Sequence, residues 1–130
     1  MSTTIATRPA IREDVLRDPR YPAHRIADTL LPYLRALVER IRPEKVILFG
    51  SYAYGQPDDH SDFDLLVIRR GFASEKASNM EIRRAFWDVP GRRPSFTLIT
   101  KTPEQIAERL AKNSPFYEEI VNKGLEVYAA

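Results

Sequence analysis

Apolar residues along the chain fall into short runs with two different periods. From Tyr21 onward, Ile26, Leu30, Leu34, Leu37, Val38 and Ile41 follow helical spacing, and Pro43 stops that helix. Val46 to Phe49 is a compact β-branched and aromatic run, which predicts a strand. Gly50-Ser51 breaks it, Tyr52 to Tyr54 begins a short helical turn, and Gln56 to His60 is a turn-rich loop. Asp62 to Ile68 predicts a second strand, polar at its start and wholly apolar from Leu65. Ile82, Ala85, Phe86 and Val89 mark a helix begun at Ser78 and ended by Pro90-Gly91. Ser95 to Thr100 predicts a third strand, with Phe96 and Leu98 on one face and Ser95 and Thr97 on the other. Thr102-Pro103-Glu104-Gln105 is a capping box with proline at the first helical position, so a helix runs from Pro103 to about Lys112. Ser114-Pro115 starts another, Gly124 ends it, and Leu125 to Tyr128 predicts a final strand.

This order predicts an α/β (α+β) domain with a small mixed central sheet flanked by helices. Residues 1–24 contain arginine and proline with weak periodicity and read as an N-terminal arm or short helix, ahead of a domain over residues 25–130. A chain of 130 residues holds one core and is too short for two. Its 43% hydrophobic and 29% charged residues are ordinary for a globular protein. With no cysteine, disulfides, thiolate metal sites and cysteine nucleophiles are excluded. No leader-like or membrane-spanning apolar run occurs, which leads to an expectation of a cytoplasmic protein.

The net charge of +2 says little, whereas its distribution says more. Residues 1–42 carry eight arginines against five acids, and residues 69–93 carry seven bases against three acids. Between them, residues 57–68 carry four aspartates and no Lys or Arg. An acidic spot between basic stretches suits a cation with a polyanion lying across it. No nucleic-acid-reading motif accompanies the arginines, so no specific nucleic acid is expected. Trp87 is expected in the core, beside the apolar face of its helix.

Within the acidic stretch, Asp62 and Asp64 stand two apart on a strand, on one face, with Cα atoms roughly 6.5–7 Å apart. Two convergent carboxylates suit Mg²⁺, which takes one or two carboxylates and fills its octahedron with waters and phosphate oxygens. A stray Asp-x-Asp is more often a solvated strand end. Gly50-Ser51 changes the balance, because a strand that breaks there into a helical turn offers backbone N–H groups and a hydroxyl to an anion. Glycine lets the backbone approach a phosphate closely. Gly55 is read as a loop residue at positive φ. Asp58 and Asp59, in the loop, are expected to be solvated, as are the ends of Arg69 and Arg70.

Together, FGSYAYGQPDDHSDFDLLV resembles the signature of the polymerase-beta-like nucleotidyltransferases: Gly-Ser, a spacer, then Asp-x-Asp. The short length is similar to that of the minimal nucleotidyltransferases, and the resemblance covers roughly residues 25–128. It implies that Gly50 and Ser51 hold a nucleoside triphosphate and that Asp62 and Asp64 are catalytic and hold Mg²⁺. The implied reaction moves a nucleoside monophosphate, AMP from ATP, to a hydroxyl acceptor. The implied setting is a toxin–antitoxin-like module with a small helical HEPN-type protein partner. With no residues left for an acceptor domain, the acceptor is expected on another protein or across a homo-oligomer.

The family's third acid lies six positions before the proline of a Thr-Pro helix start, which here is Thr97. Glu75, Glu81 and Asp88 are candidate substitutes, although their spacing places none of them at the site. Two readings follow: an enzyme that transfers a nucleotide, and a catalytically degenerate, antitoxin-like binding module.

Overall fold

Each apolar run with strand character takes its place in one sheet. The computed structural model describes residues 10–130. In chain order the elements are β1 (Ala10–Ile11), α1 (Glu13–Leu16), a 3-10 turn (Pro22–Ile26), α2 (Ala27–Ile41), β2 (Lys45–Phe49) and α3 (Ser51–Tyr54). β3 (Phe63–Ile68), α4 (Glu75–Trp87), β4 (Phe96–Lys101), α5 (Pro103–Ala111), α6 (Pro115–Lys123) and β5 (Leu125–Ala129) complete it.

The strand order is β1-β5-β2-β3-β4. β2 pairs antiparallel with both β3 and β5, β1 pairs antiparallel with β5, and β3 and β4 run parallel. Parallel neighbours need a long crossover, and α4 supplies it. The sheet is therefore mixed, as its sequence implies.

β2 and β3 read as unbroken apolar runs because they are covered on both faces. On one face, Val46, Leu48, Leu65 and Val67 pack with Leu30, Leu34 and Leu37 of α2 and Ile82 and Phe86 of α4. On the other, Ile47, Phe49, Leu66 and Ile68 meet Ile106 of α5 and Tyr117 and Ile120 of α6. Each such fully buried side chain is worth about 1.5–3 kcal/mol of transfer free energy.

The expected helix from Tyr21 divides in two. Pro22 opens a 3-10 turn, Ile26 departs from helical geometry at φ −119° and ψ 11°, and the α-helix starts at Ala27. It ends at Arg42, in the left-handed region at φ 52°, just before Pro43. α4 begins earlier than Ser78: Ser74 caps it, its hydroxyl accepting from the Ala77 N–H. Glu75, Lys76 and Ala77 carry no apolar period, so that first turn has no hydrophobic signal. Ser78 is instead fully buried, donating to the Thr100 hydroxyl at 3.0 Å. The capping box at Thr102 and Gln105 forms as its residues predict.

Two expectations are corrected. Trp87 is 65% exposed, because Ile82, Ala85 and Phe86 take the inward positions of α4 and the next residue turns outward. Gly55 has φ −114°, not a positive value; glycine is needed there because a Cβ would press on the Ser51 backbone. Of residues 1–24, those from Ala10 join the fold: β1 lengthens the sheet, α1 forms a short helix, and Leu16 and Ala23 are fully buried. Residues 1–9, part of the expected arm, lie outside the described residues.

β4 is the last strand of the sheet, and α4 lies along its outer side. Arg83 donates to the Phe96 carbonyl at 3.3 Å and Asn79 to the Leu98 carbonyl at 3.1 Å, while Glu75 accepts the Thr100 N–H at 2.8 Å. Among the described residues, no helix is long and apolar enough to cross a membrane.

Candidate active site

Strand alternation puts the two acids on one face. Asp62 lies one residue ahead of β3 and Asp64 is its second residue, so both project on the side that carries Leu66 and Ile68. Asp62 is exposed and Asp64 half-buried. In register, Asp64 stands between Phe49 of β2 and Thr97 of β4. β2 ends at Phe49, so the chain turns beside Asp64.

That turn requires glycine twice over. Gly50 has φ +75° and ψ −151°, a region closed to other residues, and a Cβ there would fall on Asp64 Oδ2. The group packed most closely on Gly50 is thus an aspartate of the site itself. The Gly50 carbonyl accepts from the N–H groups of Ala53 and Tyr54, each at 3.0 Å, which closes the first turn of α3. At such a helix start the N–H groups of Ser51 and Tyr52 have no partner within the helix. Gly50-Ser51 and Asp62/Asp64 therefore converge, as the motif's spacing implies.

Thr97 joins them from the other side. Its hydroxyl donates to Asp62 Oδ2 at 3.3 Å and also faces Asp64. Burial pushes the Asp64 carboxyl above its ordinary range, the Thr97 hydroxyl draws it back, and the charge of Asp62 pushes it up again. The strained element of the site is thus a pair of close carboxylates, one of them partly desolvated. Among the described residues, no group of three or more His, Cys, Asp or Glu side chains stands together.

The candidate substitutes for a third acid are held elsewhere. Glu75 accepts from the Thr100 N–H and pairs with Lys101, Glu81 pairs with Arg69, and Asp88 pairs with Arg40. Arg70 pairs with Glu44 and Glu104, at the far end of β3 from the two aspartates. Arg69 is not a solvated end: its side chain is 13% exposed and donates to Ser78. Asp58 and Asp59 are exposed, as expected, with Asp58 Oδ1 accepting the His60 N–H.

Sequence reasoning missed the flank nearest Gly50. Burial pushes the Tyr54 phenol up, the Gly50 N–H opposes this, and the charges of Glu119 and Asp64 push it further up. Phe116, from the first turn of α6, sits edge-on to Phe49 with ring centroids 5.9 Å apart. Tyr54 carries a faint signal, being the third residue after Ser51; the approach of α6 carries none in the sequence. On the opposite face of the sheet, away from both carboxylates, lies a cleft of about 700 Å³ lined in part by Phe63, His60, Ser61, Ser95, Arg92 and Arg93.

The residues fit a divalent cation. Two carboxylates on one face, each disfavouring the other's charge, form the donor set that a hard cation bound through phosphate and water uses. A family model described as a nucleotidyltransferase domain matches residues 28–126, from α2 into β5. No curated protein matches the chain. The matched span takes in the Gly50 turn, both aspartates and Thr97, and the mixed sheet agrees with the polymerase-beta-like fold. The chain belongs to the nucleotidyltransferase domain family, in the compact form of a minimal nucleotidyltransferase.

Proposed function

We propose that this protein transfers AMP from ATP, with Mg²⁺, to a hydroxyl group on a partner protein. The observation that carries this reading is the packing of Asp64 on Gly50, which joins the two halves of the motif into one site. The acceptor oxygen would attack the α-phosphorus, the bond to the β-phosphate oxygen would break, and pyrophosphate would leave while the acceptor proton passes to a base. Asp62 and Asp64 would hold Mg²⁺, which supplies charge neutralisation on the phosphates and alignment of the oxygens. Ser51 and the N–H groups at the start of α3 would hold the terminal phosphates.

A protein acceptor is favoured over nucleic acid because Arg12, Arg17, Arg20, Arg35 and Arg40 each already face an aspartate or glutamate. The partner fitting the family resemblance is a small helical HEPN-type protein, in a cytoplasmic toxin–antitoxin-like module. A homo-oligomer is the other way to complete the acceptor site.

The hydroxyl of Thr97 at the third position favours a second reading, a binding module that has lost turnover. Threonine cannot serve as a general base at neutral pH. Incubation of the co-purified partner with labelled ATP separates the two. Label on the partner that disappears with Asp62→Asn supports the enzyme. Binding of ATP without any label transfer supports the module.

A further inference from the structure

We propose that the ring of Phe116 is the stacking platform for the base of a purine nucleoside triphosphate, an inference that rests on the nucleotide-transfer reading above. The ring is 50% exposed, yet its position is fixed. Phe49 meets it edge-on at 5.9 Å and Tyr117 at 5.2 Å, with interplanar angles of 88° and 89°. A ring held by two others while half its surface stays open is ready to take a third flat group without losing much freedom.

Its place in the site suits a base. Phe49 is the register partner of Asp64, so Phe116 stands one strand spacing, about 4.8 Å, plus one ring contact away from the carboxylates. That is the order of reach of a ribose 5′-phosphate whose phosphorus lies at the aspartates. Phe116 is also on the correct flank. Asp64 has Gly50 and β2 on one side and Thr97 and β4 on the other. The triphosphate belongs on the Gly50 side, which leaves the Thr97 side for the acceptor.

The remainder of α6 argues against protein docking as the reason for the exposed ring. The inward face of the helix is already supplied by Tyr117 and Ile120. Val121, the other exposed apolar residue of α6, is five positions on and therefore about 140° around the helix. Phe116 and Val121 thus stand at opposite edges of the apolar side that Tyr117 and Ile120 bury, and form no single exposed apolar patch. The neighbour of Phe116 one turn on is Glu119, which borders Tyr54. A single aromatic face with polar groups around it fits a small flat ligand.

The test is calorimetric titration of wild type, Phe116→Ala, Phe116→Tyr and Asp62→Asn with ATP, UTP and inorganic triphosphate, each with Mg²⁺. Stacking predicts that Phe116→Ala weakens ATP about 5- to 150-fold, the worth of one base–aromatic stack. It also predicts unchanged binding of inorganic triphosphate, loss of the preference for ATP over UTP, and near-normal ATP binding by Phe116→Tyr. Wild-type affinity for ATP in Phe116→Ala, with loss in Asp62→Asn, would overturn the platform and leave the nucleotide reading standing. Equal loss of ATP and triphosphate in Phe116→Ala would also overturn it, because the ring would then shape the site without touching the base. A wild type that binds neither ATP nor triphosphate would overturn both.

Discussion

Thr97 and Asp62 meet across the ends of β4 and β3, hydroxyl to carboxylate at 3.3 Å. A hydroxyl at this point moderates two crowded acids, yet it can neither bind a divalent cation strongly nor accept the acceptor's proton. An aspartate in its place would do the opposite on both counts.

Thr97→Asp is therefore expected to raise AMP transfer, by up to about 10²–10⁴-fold if general-base help is what the wild type lacks. Without Mg²⁺ the same variant should melt below wild type, since three carboxylates would then share one face. Labelled transfer and melting curves with and without Mg²⁺ check both halves. Strong wild-type transfer that the substitution leaves unchanged would show that the base comes from elsewhere.

Replacing both aspartates with asparagine should abolish the rise in melting temperature that Mg²⁺ and ATP give together. At a ligand concentration of about 100 times Kd that rise corresponds to about 2.7 kcal/mol in the wild type. The double variant alone should melt at or above wild type, because it loses like-charge repulsion. A shift that persists in the double variant would move nucleotide binding away from these residues.

Gly50→Ala should cost at least about 1–3 kcal/mol, because alanine must either abandon its φ of +75° or displace the Asp64 carboxylate. Its effect on binding separates it from an ordinary loop change: Mg²⁺·ATP should no longer stabilise the variant. Denaturant unfolding with and without the ligand measures each effect. A Gly55→Ala control should also destabilise, through contact with the Ser51 backbone.

A pH dependence follows from Asp64, whose carboxyl is raised above its ordinary value of 3.8, first by burial. The folded protein thus binds that proton more tightly than the unfolded chain. Its contribution to stability is present at low pH and is lost as pH rises from near 3.8 through the raised folded value. The melting temperature of Asp64→Asn minus that of wild type should widen upward across that window and then level off. Saturating Mg²⁺ should shrink the difference at neutral pH. A gap that stays constant with pH would mean that the Asp64 carboxyl is not raised.

What the sequence discloses here is local. Strand alternation alone puts Asp62 and Asp64 on one face and turns Thr97 away from Phe96 and Leu98, and Gly50-Ser51 stands out by its position at a strand end. The capping box of Thr102 needs only four residues. What it conceals depends on distant packing. Phe116 reaches Phe49 from 67 positions away in the chain, through the pairing of β5 beside β2 and the docking of α6 on it. Leu16 and Ala23 are single buried contacts with no period to announce them. Trp87 fails for the reverse reason, since an aromatic next to a buried phenylalanine on a helix faces about 100° away from it.

The side chains of Glu75, Asn79 and Arg83, four residues apart along α4, occupy backbone groups on the open side of β4 that another strand would use. This side of the domain is sealed against growth by strand addition, so copies of the chain cannot stack through it into fibrils or ribbons. On this side, a companion protein would meet helix α4 rather than an open strand. The seal spans Phe96 to Thr100, so Thr97, between two of its contacts, can face a guest without offering a template for aggregation.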